Sequence, residues 1–449
     1  MTSLRTVVLL LGAGLLGIGV FVVAPSSTAP SRPAPNVSWS PPMEVASGAA
    51  VRGRWRMNES DWRFVDDPTV ALTDDDTAHV VWAHHPRRDL FFQAYGPDGT
   101  PRLDSTTNVS QTPETFSWLP RMVAHPGAPD TLYVLWQEII FSGGSHGGDI
   151  LFARSTNGGR SFSDPRNLSR SPAGDGKGRL TAERWHNGSL DLAVDSNGTV
   201  YAAWTEYEGR LWLRRSPDGG RSFSSPVYVA GTDATPARAP TLALDADGRV
   251  HLAWTVGETP DADIHYARSD TSGRAFGTPR PVASSAGHAD APTLAIDATG
   301  TIHLAYGERP DGPFRASHVR YTHAPPDSAF ATPIVLSRRH AEAYDSAAFP
   351  SLRVGPDDTL YVLWELFPTV KGRPRALGFI ASRAGGRTFS RPTVLPGSDN
   401  PAHGFNGSQQ GLLMEKLAVN AHGRLAVINS TFQPQTTSHI WLYRGHPTP

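Results

Sequence analysis

Cysteine is missing from this chain altogether, which rules out disulfides and thiolate zinc sites. Lysine is nearly missing too: of 41 basic residues only Lys177, Lys371 and Lys416 are lysines. Neither sign of charge is in excess. Against 42 acidic residues the formal net charge is −1, so no basic face is implied and nucleic acid is not expected as a partner. A fold without cross-links must be held by its own packing, and a hydrophobic content of 39% is enough for a sizeable core. At 449 residues the chain is too long for an ordinary single domain unless that domain is a closed array of repeats.

The N-terminus reads as a targeting segment. One positive charge in Met1 to Arg5 precedes an uninterrupted run of 18 apolar and small residues, Thr6 to Val23. That length lies at the boundary between a signal-peptide core of roughly 7–15 residues and a spanning helix of roughly 17–25. Ser27-Thr28-Ala29 has the small residues of a cleavage site, but Pro30 follows it. The expected organisation is a signal peptide or membrane anchor over residues 1–24, a Pro/Ser-rich tether over 25–38 and one folded body over 39–449. Both forms place the body outside the cytoplasm, secreted or anchored, and make the membrane a partner through this segment alone.

The body is a repeat. Its clearest copy is Pro240-Thr-Leu-Ala-Leu-Asp245, a turn at Gly248, then Arg249-Val-His-Leu-Ala-Trp254. A second runs from Pro292 to Asp297, through Gly300, to Tyr306. Others end at Trp82, Trp136, Trp204 and Trp364, and a weaker seventh runs from Leu417 through Gly423 to Ile428. The ends lie 50 to 68 residues apart, the length of a four-stranded blade with its loops. Each phrase alternates at period two about an Asp-x-x-Gly turn, which predicts a hairpin. A third strand follows, as in Asp149–Arg154 and Asp263–Arg268.

The turn after the third strand carries a family resemblance. Ser155-Thr-Asn157-Gly-Gly159-Arg-Ser161-Phe162 and Ser216-Pro-Asp218-Gly-Gly220-Arg-Ser222-Phe223 resemble the Asp-box of sialidases and related β-propellers. Ser269–Phe276 and Ser382–Phe389 are degraded copies, with Thr271 and Ala384 at the Asp position. The physics of such a turn is local: Asp or Asn caps its amides, Gly takes the left-handed conformation, and the aromatic anchors the hairpin. The resemblance implies an all-β propeller. Seven phrases predict seven blades, with the six blades of sialidases as the alternative, and seven bring polysaccharide lyases and rhamnosidases of similar architecture into contention. Trp39-Ser-Pro-Pro-Met-Glu-Val45 matches Phe223-Ser-Ser-Pro-Val-Tyr-Val229, and the last unit lacks a fourth strand. The N-terminal strand is therefore expected to complete the last blade and close the ring.

Topology places the Asp-box and Asp-x-x-Gly turns on one face. Inter-blade loops and loops after the Trp-ended strands lie on the other, where sialidase-like propellers bind ligand. That face gathers acids, amides, aromatics and arginines, a mixture suited to a sugar. Substrate-binding candidates are Arg238, Arg63, Arg184, Trp118, His186, Asp290, Glu206 and Asn406. Sialidases use three arginines on a carboxylate, a Tyr nucleophile with a Glu base, and an Asp acid. By that resemblance Arg238-Ala239-Pro240 stands for the Arg-Ile-Pro motif, displaced from the first blade to the fourth. Tyr344 is the candidate nucleophile, Glu365 or Glu308 the base, and Asp66 or Asp67 the acid. The recurring Trp residues read as inter-blade core, Asp245-Ala-Asp247-Gly248 as a plain hairpin turn and His84-His85 as exposed loop, so no metal or cofactor is expected. The implied function is a sialidase-like exo-glycosidase on acidic glycans, working as a monomer. The alternatives are a non-catalytic glycan- or protein-binding propeller, and a lyase in which Tyr344 or His186 abstracts a proton beside a uronate held by Arg238.

Overall fold

In the computed structural model the described residues are 35–448, apart from 54–61, 143–144, 170–188, 207–208, 233, 258–261, 272, 284–286, 312–315, 339–342, 384 and 407–414. Six antiparallel four-stranded sheets and one larger sheet form the seven blades of an all-β propeller. Blade 1 begins with Val65–Leu72, blade 2 with Phe116–His125, blade 3 with Leu190–Val194 and blade 4 with Ala237–Leu244. Blade 5 begins with His288–Ile296, blade 6 with Ser346–Val354 and blade 7 with Leu417–Val419. These inner strands all begin on one face, here called the mouth face. The Asp-x-x-Gly and Asp-box-like turns lie on the opposite, turn face. No helix among the described residues is long and apolar enough to cross a membrane, and the apolar run Thr6–Val23 lies outside them.

Period-two alternation gives each sheet two apolar faces, and each packs on a neighbouring blade. Trp136, Trp204, Trp254 and Trp364 are buried in these joints, as their recurrence predicts. The residue before each closing Trp or Tyr pairs with one inner-strand position: Thr69, Arg121, Asp191, Thr241, Thr293 and Ser351. Several of these side chains sew neighbouring inner strands together. Asp191 accepts from the Leu242 amide (2.7 Å), Thr293 from Leu352 (3.2 Å) and Ser351 from Lys416 (3.2 Å).

The Asp-box-like turns have the expected chemistry. Asn157 Oδ1 accepts from the Ser161 amide (3.1 Å) and Asp218 Oδ1 from the Ser222 amide (2.8 Å). In three of the turns the aromatic packs edge-on against a third-strand ring of the preceding blade: Phe162 on Phe92 (5.5 Å), Phe223 on Phe152 (5.0 Å) and Phe389 on Tyr321 (5.0 Å). The second glycine of the turn lies against the same ring. A Cβ at Gly159, where φ is +83°, would stand 1.9 Å from Phe92, so this position needs glycine twice over.

The N-terminal strand closes the ring. Met43–Gly48 and Asn36–Trp39 both pair with Thr437–Thr448, the third strand of blade 7, with Met43 opposite Leu442 and Trp39 opposite Gly445. Trp39 packs edge-on against Phe379 of blade 6 at 5.2 Å. It thus fills the place that an Asp-box aromatic fills elsewhere.

Candidate functional site

Every inner strand that carries X-Pro near its start is bulged there. The residue before the proline is left-handed in five blades: Asp67 (φ 48°), Leu119 (49°), Ala239 (49°), Ala291 (52°) and Phe349 (55°). The bulge re-aims the residues on either side of it, which is how the mouth is shaped.

On blades 4 and 5 the mouth face is a belt of arginines and acids. Half-buried Arg238 donates through Nε and Nη2 to the Gly257 carbonyl (3.0 and 2.6 Å). In blade 5, Asp290 lies 3.0 Å from His288 Nε2 and 3.1 Å from Arg309 Nη1. Burial pushes the Asp290 carboxyl up, but the His288 hydrogen bond and the Arg309 charge hold it below its ordinary value. One strand further out, Glu308 pairs with Arg320 at 2.5 Å. The Arg309 and Arg320 side chains keep 20% and 25% of their surface exposed, so both still face solvent. Neither was singled out from the sequence, where they are arginines near strand ends like many others.

The remaining candidates are dispersed. Trp118 stacks on Trp62 (5.5 Å) in a buried aromatic cluster with Phe64, Phe116 and His85. His85, expected in an exposed loop, is buried there because Phe64 lies 4.1 Å from its ring. Asp66 and Asp67 are buried in the inner strand of blade 1, and Arg63 is exposed beside them. Tyr344 leads into blade 6, where it packs against the joint of blades 5 and 6; burial and the Asp399 charge raise its hydroxyl pKa. Glu365 is fully buried and bonds the Lys416 ammonium, which also donates to Asn429 Oδ1 (2.6 Å). Glu206 forms the tight turn after the second strand of blade 3, and buried Asn406 donates to the Ser398 carbonyl (3.1 Å). Arg184 and His186 lie outside the described residues. The acid candidates thus sit in blade 1 and the nucleophile candidate at blade 6, with blade 7 between.

At the axis the structure shows a cluster that the sequence reading missed. A pocket of 40 Å³ is lined by Arg121, Asp191 and Glu415 with the bulged segments of blades 4, 5 and 6. Arg353 Nη2 pairs with Glu415 Oε2 at 2.7 Å, and Arg121 Nε stands 3.8 Å from Asp191 Oδ1. Burial, reinforced by the Glu415 charge, pushes the Asp191 carboxyl up to about 7. Burial acts on Glu415 in the same sense, but Arg353 and Arg121 hold that carboxyl below its ordinary value. The missed signal was positional: Arg121 and Asp191 replace the Thr or Ser of blades 1, 4, 5 and 6. Among the described residues no group of three or more His, Asp or Glu is placed to hold a metal ion.

No protein-family model matches the sequence, and no curated protein does. Solved structures match the fold. An ulvan lyase of polysaccharide lyase family PL25 superposes with a TM-score of 0.56 at 11% identity, covering 88% of this chain and 94% of that one. The BP39L lectin from Burkholderia pseudomallei gives 0.52 at 10% identity over 84% and 97%. The polysaccharide lyase Uly1 gives 0.51 at 10% identity over 84% and 89%. Identities this low establish a shared propeller fold and nothing finer.

Proposed function

We propose that the chain is an extracytoplasmic propeller, exported by its N-terminal apolar segment, that binds an acidic glycan on the mouth face of blades 4 and 5. The observation that carries this reading is the belt of Arg238, Arg309 and Arg320 on one end of two adjacent blades. Two of those guanidiniums are paired with acids yet remain partly open to solvent. A guanidinium has more N–H donors than one carboxylate uses, so its solvent-facing edge can take a ligand carboxylate or sulfate while the protein pair stays intact. The fold neighbours support the choice of ligand: another structure of the ulvan lyase holds -[GlcA(1-4)Rha3S]-, and BP39L is a lectin. Retention is favoured over hydrolysis because the candidate bases Glu308 and Glu365 are already committed to Arg320 and Lys416.

Calorimetric titration with a glucuronate-containing oligosaccharide and a neutral counterpart tests the proposal. The acidic ligand is expected to bind and the neutral one to bind far more weakly. Arg309→Gln and Arg320→Gln should each cost about 1.5–3 kcal/mol, the worth of a charged hydrogen bond. Equal affinity for both ligands, unchanged in both variants, would remove the site. Release of reducing ends, or of an unsaturated product absorbing in the ultraviolet, would replace binding with hydrolysis or elimination. Turnover lost in Tyr344→Phe would then restore the sialidase-like reading.

A further inference from the structure

We propose that the axial pocket is a proton-linked receptor for one small carboxylate anion, held between Arg121 and the protonated Asp191.

The geometry leaves a gap there. Arg121 is only 7% exposed, and its Nη1 donates weakly to its own chain at the Pro120 carbonyl (3.3 Å). Its Nε has no hydrogen-bond partner among the described residues, and the nearest acid, Asp191 Oδ1, is out of hydrogen-bond reach at 3.8 Å. A buried guanidinium N–H without an acceptor is costly. The 40 Å³ pocket opens beside it. That volume admits a carboxylate or a few waters, and it is too small for a sugar ring.

Charge then decides what enters. Arg121 comes from blade 2, Asp191 from blade 3, Arg353 from blade 6 and Glu415 from the approach to blade 7. The facing positions of blades 4 and 5 are the neutral Thr241 and Thr293. Lys416 is neutralised by Glu365. With Asp191 ionised the pocket is neutral, and Arg121 already faces an anion. With Asp191 protonated the pocket carries one net positive charge, and its hydroxyl becomes a donor beside the Arg121 Nε–H. Burial and the nearby Glu415 charge raise the Asp191 carboxyl above its ordinary range, against the Arg121 charge and the Leu242 and Leu192 amides, and so favour that protonated form. An incoming anion stabilises the protonated acid, and the protonated acid stabilises the anion; linkage makes the two effects equal.

The test uses the full chain and acetate as the probe, titrated from pH 5 to 9 in two buffers of different ionisation heat. Expected are uptake of up to one proton per acetate bound and an affinity falling about tenfold per pH unit above the Asp191 titration. Arg121→Gln should abolish binding, and Asp191→Asn should keep it while flattening its pH dependence. Should Asp191→Asn fail to fold, the proton count on the native chain still decides. A glucuronate oligosaccharide that displaces acetate identifies the ligand as a glycan carboxylate; one that binds without displacing it identifies a free small acid. Acetate binding without proton uptake above the Asp191 titration, binding unaffected by Arg121→Gln, or no acetate binding at pH 5 overturns the proposal.

Discussion

One residue type, aspartate at a turn, does most of the local work on the turn face. Asp218 accepts from both the amide and the hydroxyl of Ser222 (2.8 and 2.6 Å), and chiefly through that hydroxyl its carboxyl is held down to about 2. A folded pKa below the unfolded value means stability present above about pH 4 and lost as pH falls through about 2. Asp218→Ala should therefore cost about 1 kcal/mol at neutral pH, as a lost cap does, and the difference from wild type should shrink in denaturant melts between pH 4 and pH 2. Glycan binding should not change, because the turn lies on the face opposite the mouth. This role was legible in Ser216-Pro-Asp218-Gly-Gly220, since all its partners lie within a few residues. A longer chain of contacts was not legible. In blade 4 the Tyr266 hydroxyl donates to His251 Nδ1 (2.7 Å), and His251 Nε2 donates to Asp245 (3.1 Å). Blade 5 repeats it with Tyr321, His303 and Asp297. The repetition marks it as a buttress of the hairpin, and only strand register brings the Tyr beside the His.

Among the elements, the joint between blades 6 and 7 differs from the others. Blades 1, 4, 5 and 6 carry a Thr or Ser at the inner-strand position that pairs before the closing Trp or Tyr; here Lys416 enters it, only 3% exposed, and meets Glu365. Glu365→Gln leaves an ammonium buried without its counter-ion and should cost about 3–5 kcal/mol. The double variant Glu365→Leu with Lys416→Met removes both charges and should return most of that loss, because a desolvated pair contributes little beyond an apolar one. Urea melts of the three proteins decide the point; a double variant as unstable as Glu365→Gln would contradict it. The sequence suggested Glu365 as a base because it lies beyond a Trp-ended strand, where the mouth face begins. Its partner is 51 residues away, so no local pattern showed that it was engaged. The bulges have the same opacity. Pro240 and Pro292 were legible as strand starts, but nothing in Ala239 or Ala291 announces a positive φ.

For the molecule as a whole, the decisive contact is the one between its ends. Seven blades were countable from the phrases, and closure was legible because Trp39–Val45 copies an internal fourth strand. The structure adds how closure is locked. Ser438 Oγ accepts from the Val65 amide (3.0 Å) and donates to the Ala49 carbonyl (3.0 Å), joining the first and last blades to the N-terminal strand. Arg444 donates to the carbonyls of Asp76, Tyr95 and Gly96 of blade 1 (2.8, 3.0 and 2.6 Å). Gly445 lets Trp39 lie flat on the sheet, since a Cβ there would stand 2.8 Å from its ring. A chain lacking residues 36–48 would lose the Trp39 contact with Phe379 and the Met43, Val45 and Ala46 packing on blade 1, and would expose Thr437–Thr448 as a long unpaired edge, the template on which sheets aggregate. Such a truncation should self-associate on size-exclusion chromatography and lose its single cooperative thermal transition. Adding a peptide of residues 36–48 should restore both, because the strand's register is set by pairing and by the Trp39 socket rather than by covalent connection. A truncated chain that stays monomeric with an unchanged Tm would show that the ring is closed by the blade joints alone.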